Sequence, residues 1–117
     1  MRGFLVVGAV LVAAGVGIGA QDSLSAARDL YASAAYEDAL STLSRMDTAA
    51  VRPEIARQID MYRAFCLFAL GRTGEAASIA ESMVRKDPLR RLDAVDASPR
   101  LEKMFTDVRR RLMPSLT

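Results

Sequence analysis

Residues Tyr62–Pro88, YRAFCLFALGRTGEAASIAESMVRKDP, decide how this chain folds. The stretch reads as helix, tight turn, helix, stop. Ala64, Leu67 and Gly71 lead into the turn, Ala76, Ala80 and Met83 follow it, and Pro88 closes the unit. Alanines at these offsets let two antiparallel helices approach closely, because larger side chains would hold the backbones apart.

An earlier stretch carries the same spacing. Ala39 and Ala76 stand 37 positions apart, and that shift also lays Ala27 under Ala64, Leu30 under Leu67, Ala34 under Gly71, Leu43 under Ala80 and Met46 under Met83. The segment Leu30–Leu40, LYASAAYEDAL, adds an aromatic, two acids and an alanine across its turn. Together these positions resemble the tetratricopeptide repeat, a helix–turn–helix unit of about 34 residues that stacks on copies of itself. The departures are Ala34 for the turn glycine, Asp47-Thr48 for the closing Asp-Pro, and Thr73 for the second aromatic. A small Ala-rich helical bundle without repeats is the competing architecture.

The N-terminal end is a separate segment. Met1-Arg2 is followed by an uncharged run, Gly3 to Gly19, and then by Ala20 and the polar Gln21-Asp22. That is the layout of a secretory signal peptide cut after Ala20. An uncleaved membrane anchor is the alternative, since about 18 apolar residues lie near the lower limit for spanning. The expectation is therefore an all-α chain: residues 1–20 a signal peptide or anchor, and residues 21–117 a helical domain of two repeats plus a C-terminal capping helix. The destination would be the periplasm or cell envelope of a bacterium. The polar ending Pro114–Thr117 also reads as the start of a linker to further sequence.

Within the domain, Asp22 or Ser23 is a candidate cap for the first helix and Thr73 for the fourth. Pro53 suits the first position of the third helix, where a missing N–H costs nothing. Asp47–Arg52 reads as the loop between repeats. Ser98-Pro99 opens a last helix with Leu101, Met104, Phe105, Val108 and Leu112 on one stripe. Arg109 and Arg110 fall on its other side, toward solvent.

The chemistry is sparse. There is no His and one Cys, which removes the commonest acid/base, the commonest metal ligand and any zinc constellation. No nucleophile elbow or phosphate loop occurs, so neither an enzyme nor a cofactor is expected. Charge is uneven: Asp22–Val84 holds six basic and nine acidic residues, Arg85–Arg111 nine basic and five acidic. A basic half of this kind suits an acidic partner or simply complements helix ends. The Arg109–Arg111 run lacks aromatic base readers, so nucleic acid is not the expected partner.

What the family resemblance implies is a protein- or peptide-binding module whose first helices line a concave groove. By offset, the groove positions would be Leu24, Arg28 and Tyr31 in the first repeat and Met61, Phe65 and Phe68 in the second. For Leu24 burial is the preferred reading. Phe65 and Phe68 lie off the Ile55–Ile59–Tyr62–Cys66 stripe, so either the last helix or a partner must cover them.

Overall fold

A computed structural model of the chain describes residues 19–92 and 97–114. The described residues form five α-helices, with no strand among them: α1 Ala20–Ala32, α2 Tyr36–Ser44, α3 Pro53–Ala69, α4 Thr73–Lys86 and α5 Pro99–Leu112. A short 3-10 turn, Thr48–Ala50, lies between α2 and α3. Each α-helix packs on the next in sequence, and α1 also touches α3. Residues 1–18, which carry nearly all of the expected signal segment, lie outside the described residues, as do 93–96 of the connector.

The two hairpins, α1–α2 and α3–α4, turn in the same way. In the first, Ala34 N–H donates to the Tyr31 carbonyl at 2.9 Å and Ala35 N–H to Leu30 at 2.8 Å. In the second, Gly71 N–H donates to Phe68 at 3.0 Å and Arg72 N–H to Leu67 at 2.8 Å. This pair of bonds is the Schellman ending of a helix, and it requires a left-handed residue at the turn. Gly71 supplies it at φ +80 and Ala34 at φ +64. Donor and acceptor of both bonds in one turn have their counterparts 37 positions away in the other. The residue that opens the next helix matches too, Ala35 at φ −87, ψ 65 and Arg72 at φ −89, ψ 63.

Because each turn spends only three residues between helices, Thr73 already belongs to α4 and makes no cap; Arg72 takes that place. Its guanidinium instead grips Glu75 through two bonds of 2.9 and 2.8 Å. That hydrogen bonding holds the Glu75 carboxyl below its usual range. The first helix likewise has no side-chain cap: it begins at Ala20, so Asp22 and Ser23 fall inside its first turn. The second helix ends at Ser44, which leaves Met46 beyond it. Without a closing proline, Asp47 takes over, accepting from Ala49 N–H at 2.9 Å and starting the 3-10 turn. Pro53 stands at the head of α3 and Pro99 at the head of α5, where Ser98 Oγ accepts from Leu101 N–H at 3.2 Å.

The core follows the small residues. Ala27, Ala64, Ala39 and Ala76 are all 0% exposed, as are Leu43 and Ala80. The central helix is α3, buried on nearly every side, with Ile55, Ile59, Met61, Tyr62, Phe65 and Cys66 all in the core. A helix buried all round must have neighbours all round. The last helix buries Leu101, Phe105 and Val108. Burial of Phe105 alone contributes roughly 1.5–3 kcal/mol by area.

Candidate functional site

The inner face expected from sequence is only partly a surface. Leu24 is 4% exposed and Met61 4%, so both are core residues. Phe65 is fully buried, and its cover comes from within the chain. The Tyr31 ring lies 5.8 Å from it and the Tyr62 ring 5.3 Å. Tyr31 is a hub, since its ring also meets Tyr36 at 5.4 Å and Tyr62 at 5.6 Å. All three tyrosines of the chain thus meet at one junction of α1, α2 and α3. Offset rings at these separations add about 0.5–1.5 kcal/mol per pair beyond their burial. Met61 and Phe65 are therefore buried residues, with the Tyr31 ring of α1 lying against Phe65.

Arg28 is exposed, with its guanidinium 5.8 Å from the Tyr62 ring centre. Phe68 is half-buried, and Arg100 at the start of α5 lies 5.5 Å over its ring. The last helix thus covers one of the two phenylalanines and α1 the other. On this face Arg28 is exposed, and Tyr31 and Phe68 are half-buried with Arg100 beside Phe68.

A second feature is a cleft of about 650 Å³ where α3, α4, α5 and the connector after α4 converge. Its floor is apolar: Val84 and Phe105 are buried, while Ala56, Met83 and Leu92 are half-buried. Its rim carries Arg57, Lys86, Arg90, Arg91 and Arg109, with Glu54, Asp60 and Asp87 among them. Two of those acids are matched. Asp87 sits 3.1 Å from Arg90, and Asp60 lies 3.5 Å from Arg63 and 3.9 Å from Lys86.

Arg109 does not point to solvent as its place in the sequence suggests. Its Nε donates to the Pro88 carbonyl at 2.9 Å and its Nη2 to the Arg90 carbonyl at 2.7 Å. It therefore pins the connector to α5 and forms one wall of the cleft. The neighbouring Arg110 is exposed, and Arg111 reaches back to Glu81 on α4. The only trace of this cleft in the sequence is the basic excess after Val84, because its floor and rim come from four separate segments.

Cys66 is buried and its thiol is pushed up to about 11 by loss of solvation, the opposite of an activated nucleophile. Among the described residues, no group of three or more His, Cys, Asp or Glu side chains is placed to hold a metal ion. No described helix is long and apolar enough to cross a membrane.

No protein-family model matches this chain, and neither does any curated protein or solved structure. The resemblance to tetratricopeptide repeats rests on its own residues.

Proposed function

We propose that this chain is an exported helical-repeat module of the bacterial cell envelope that binds a protein or peptide partner. In this reading α1–α2 and α3–α4 are two tetratricopeptide-like repeats, and α5 caps the second. One observation carries it: the turn hydrogen bonds, the left-handed residue and the buried alanines recur together at a 37-residue shift. Stacked repeats of this sort present a continuous face built from the first helix of each unit. The open part of that face here is Arg28, Tyr31 and Phe68 with Arg100 beside it. A polar residue and aromatic edges on a rigid helix pair suit recognition of a segment from another protein. No catalytic role belongs to this reading.

The test has two parts. Protein made in a secreting host is expected to begin at Gln21 on N-terminal sequencing. An exported chain that keeps its first 20 residues would favour the anchored form, and a full-length cytosolic product would overturn the envelope assignment. A photo-crosslinking amino acid is then placed at Arg28 or Phe68, with exposed Ser82 on α4 as control. Discrete adducts from the first two positions and none from the third are expected. Equal labelling from all three, or none, would remove the inner face as a binding surface.

A further inference from the structure

The cleft beside α5 is unlike the inner face, and its chemistry points to a different kind of ligand. Its floor is a hydrophobic patch of Val84, Phe105, Met83 and Leu92, and its rim carries five cations with Glu54, Asp60 and Asp87 among them. Of the five rim cations, Arg90 has Asp87 as its carboxylate partner and Lys86 faces Asp60. Arg109 spends two donors on neutral carbonyls, so its charge meets no carboxylate there and three N–H groups remain. The second of those carbonyls belongs to Arg90, so Arg109 holds the next residue, Arg91, at the same edge. Arg91 is exposed and has no carboxylate partner among the described residues. Two guanidinium groups without a carboxylate partner among the described residues thus flank an apolar floor in a space of about 650 Å³. That volume falls in the range of small-ligand pockets, about 300–1,000 Å³. Planar guanidinium groups recognise carboxylates through paired N–H donors.

We propose that this cleft binds a small amphipathic carboxylate, with its hydrocarbon part on Val84 and Phe105 and its carboxylate held by Arg91 and Arg109. A neutral amphiphile would gain the floor but leave the arginines unpaired. A cationic one would be repelled at the rim. The site stands apart from the partner-binding face and does not depend on it.

The probe is decanoate, added below its micelle concentration to the full-length chain and followed by amide NMR. Expected are saturable shifts at Ala56, Val84 and Leu92, with decanol binding more weakly and decyltrimethylammonium producing no shifts there. Charge reversal Arg91→Glu is expected to weaken binding about tenfold or more, since bonds to a charged group are lost and repulsion replaces them. Exposed Arg110→Glu is expected to leave affinity unchanged. Ala56→Phe fills the floor and is expected to abolish the shifts while the spectrum stays folded. Shifts confined to other parts of the chain would overturn the proposal. So would equal binding of the cationic probe, or an affinity untouched by Arg91→Glu.

Discussion

The two hairpins share a turn and a period, yet they live in different surroundings. Positions 37 apart carry Arg28, exposed, and Phe65, fully buried. Likewise Ser25 is exposed on α1 where Tyr62 is 3% exposed on α3. Among the described helices the first hairpin packs mainly against the second, whereas the second lies between the first and α5. A hairpin packed on both sides needs apolar side chains on faces that a hairpin packed on one side leaves to water. The turns, by contrast, are local, so they stay alike. Side-chain burial follows what each hairpin packs against, and the turn geometry recurs with the 37-residue shift.

The strongest test of that contrast substitutes equivalent positions. Phe65→Ala is expected to cost about 3–5 kcal/mol, as for truncation of a buried aromatic. Arg28→Ala should cost at most ~1 kcal/mol, the worth of an exposed cation over the Tyr62 ring. Urea denaturation measures both, and similar losses would erase the distinction between internal and terminal hairpins.

Next come the contact alanines, which the 37-residue shift makes equivalent. Ala39→Leu and Ala76→Leu should each overpack a site with no free space and cost about 1–3 kcal/mol. Ala76→Leu is expected to be the worse. It sits in a 14-residue helix packed between α3 and α5, while Ala39 lies in a shorter, 9-residue helix packed between α1 and α3. Unchanged melting temperatures in both variants would argue against repeat packing.

The turns allow a finer comparison. Gly71→Ala meets no atom within 4 Å, so its cost is purely that of a left-handed backbone, roughly 1–2 kcal/mol. The first hairpin already bears that cost at Ala34. Ala34→Gly is therefore expected to stabilise the chain, by about 0.5 kcal/mol once the greater freedom of unfolded glycine is deducted. Opposite signs in chemical denaturation support equivalent turns, and equal signs would break the correspondence.

The smallest effect concerns how α5 is held against the second hairpin. Arg109→Gln should lose about 1 kcal/mol through its bonds to the Pro88 and Arg90 carbonyls. Arg110→Gln should stay within ~0.5 kcal/mol, as surface changes usually do. Thermal melts of the two variants separate a latch from a solvated helix end. Equal melting temperatures would mean that α5 is held by its apolar stripe alone.

Much of the fold was legible because its signals are local. Prolines at 53 and 99 and serine at 98 start helices through their own backbone and side-chain chemistry, and the structure uses them so. Alanine spacing and the 37-residue shift pointed to the buried contacts at Ala27, Ala39, Ala64 and Ala76. Capping at Thr73 was misread because a three-residue Schellman turn leaves no room for a separate cap. The burial of Met61 and Phe65 was not legible for a larger reason. Offset within a repeat says which helix face a residue occupies, but not whether a neighbouring helix covers that face.

The sequence by itself determined an all-helical chain, the positions of its two tight turns and the close-packed alanines that join each hairpin. These depend on residues within one turn or a few turns of each other. Only the tertiary structure decided that Tyr31 would gather an aromatic junction over Phe65. Only it brought Arg91 and Arg109 to one edge above Val84 and Phe105. Those groupings join side chains from separate helices, and their existence depends on the angles at which the helices stack. That angle is set by the whole core at once and is written in no single stretch of the chain.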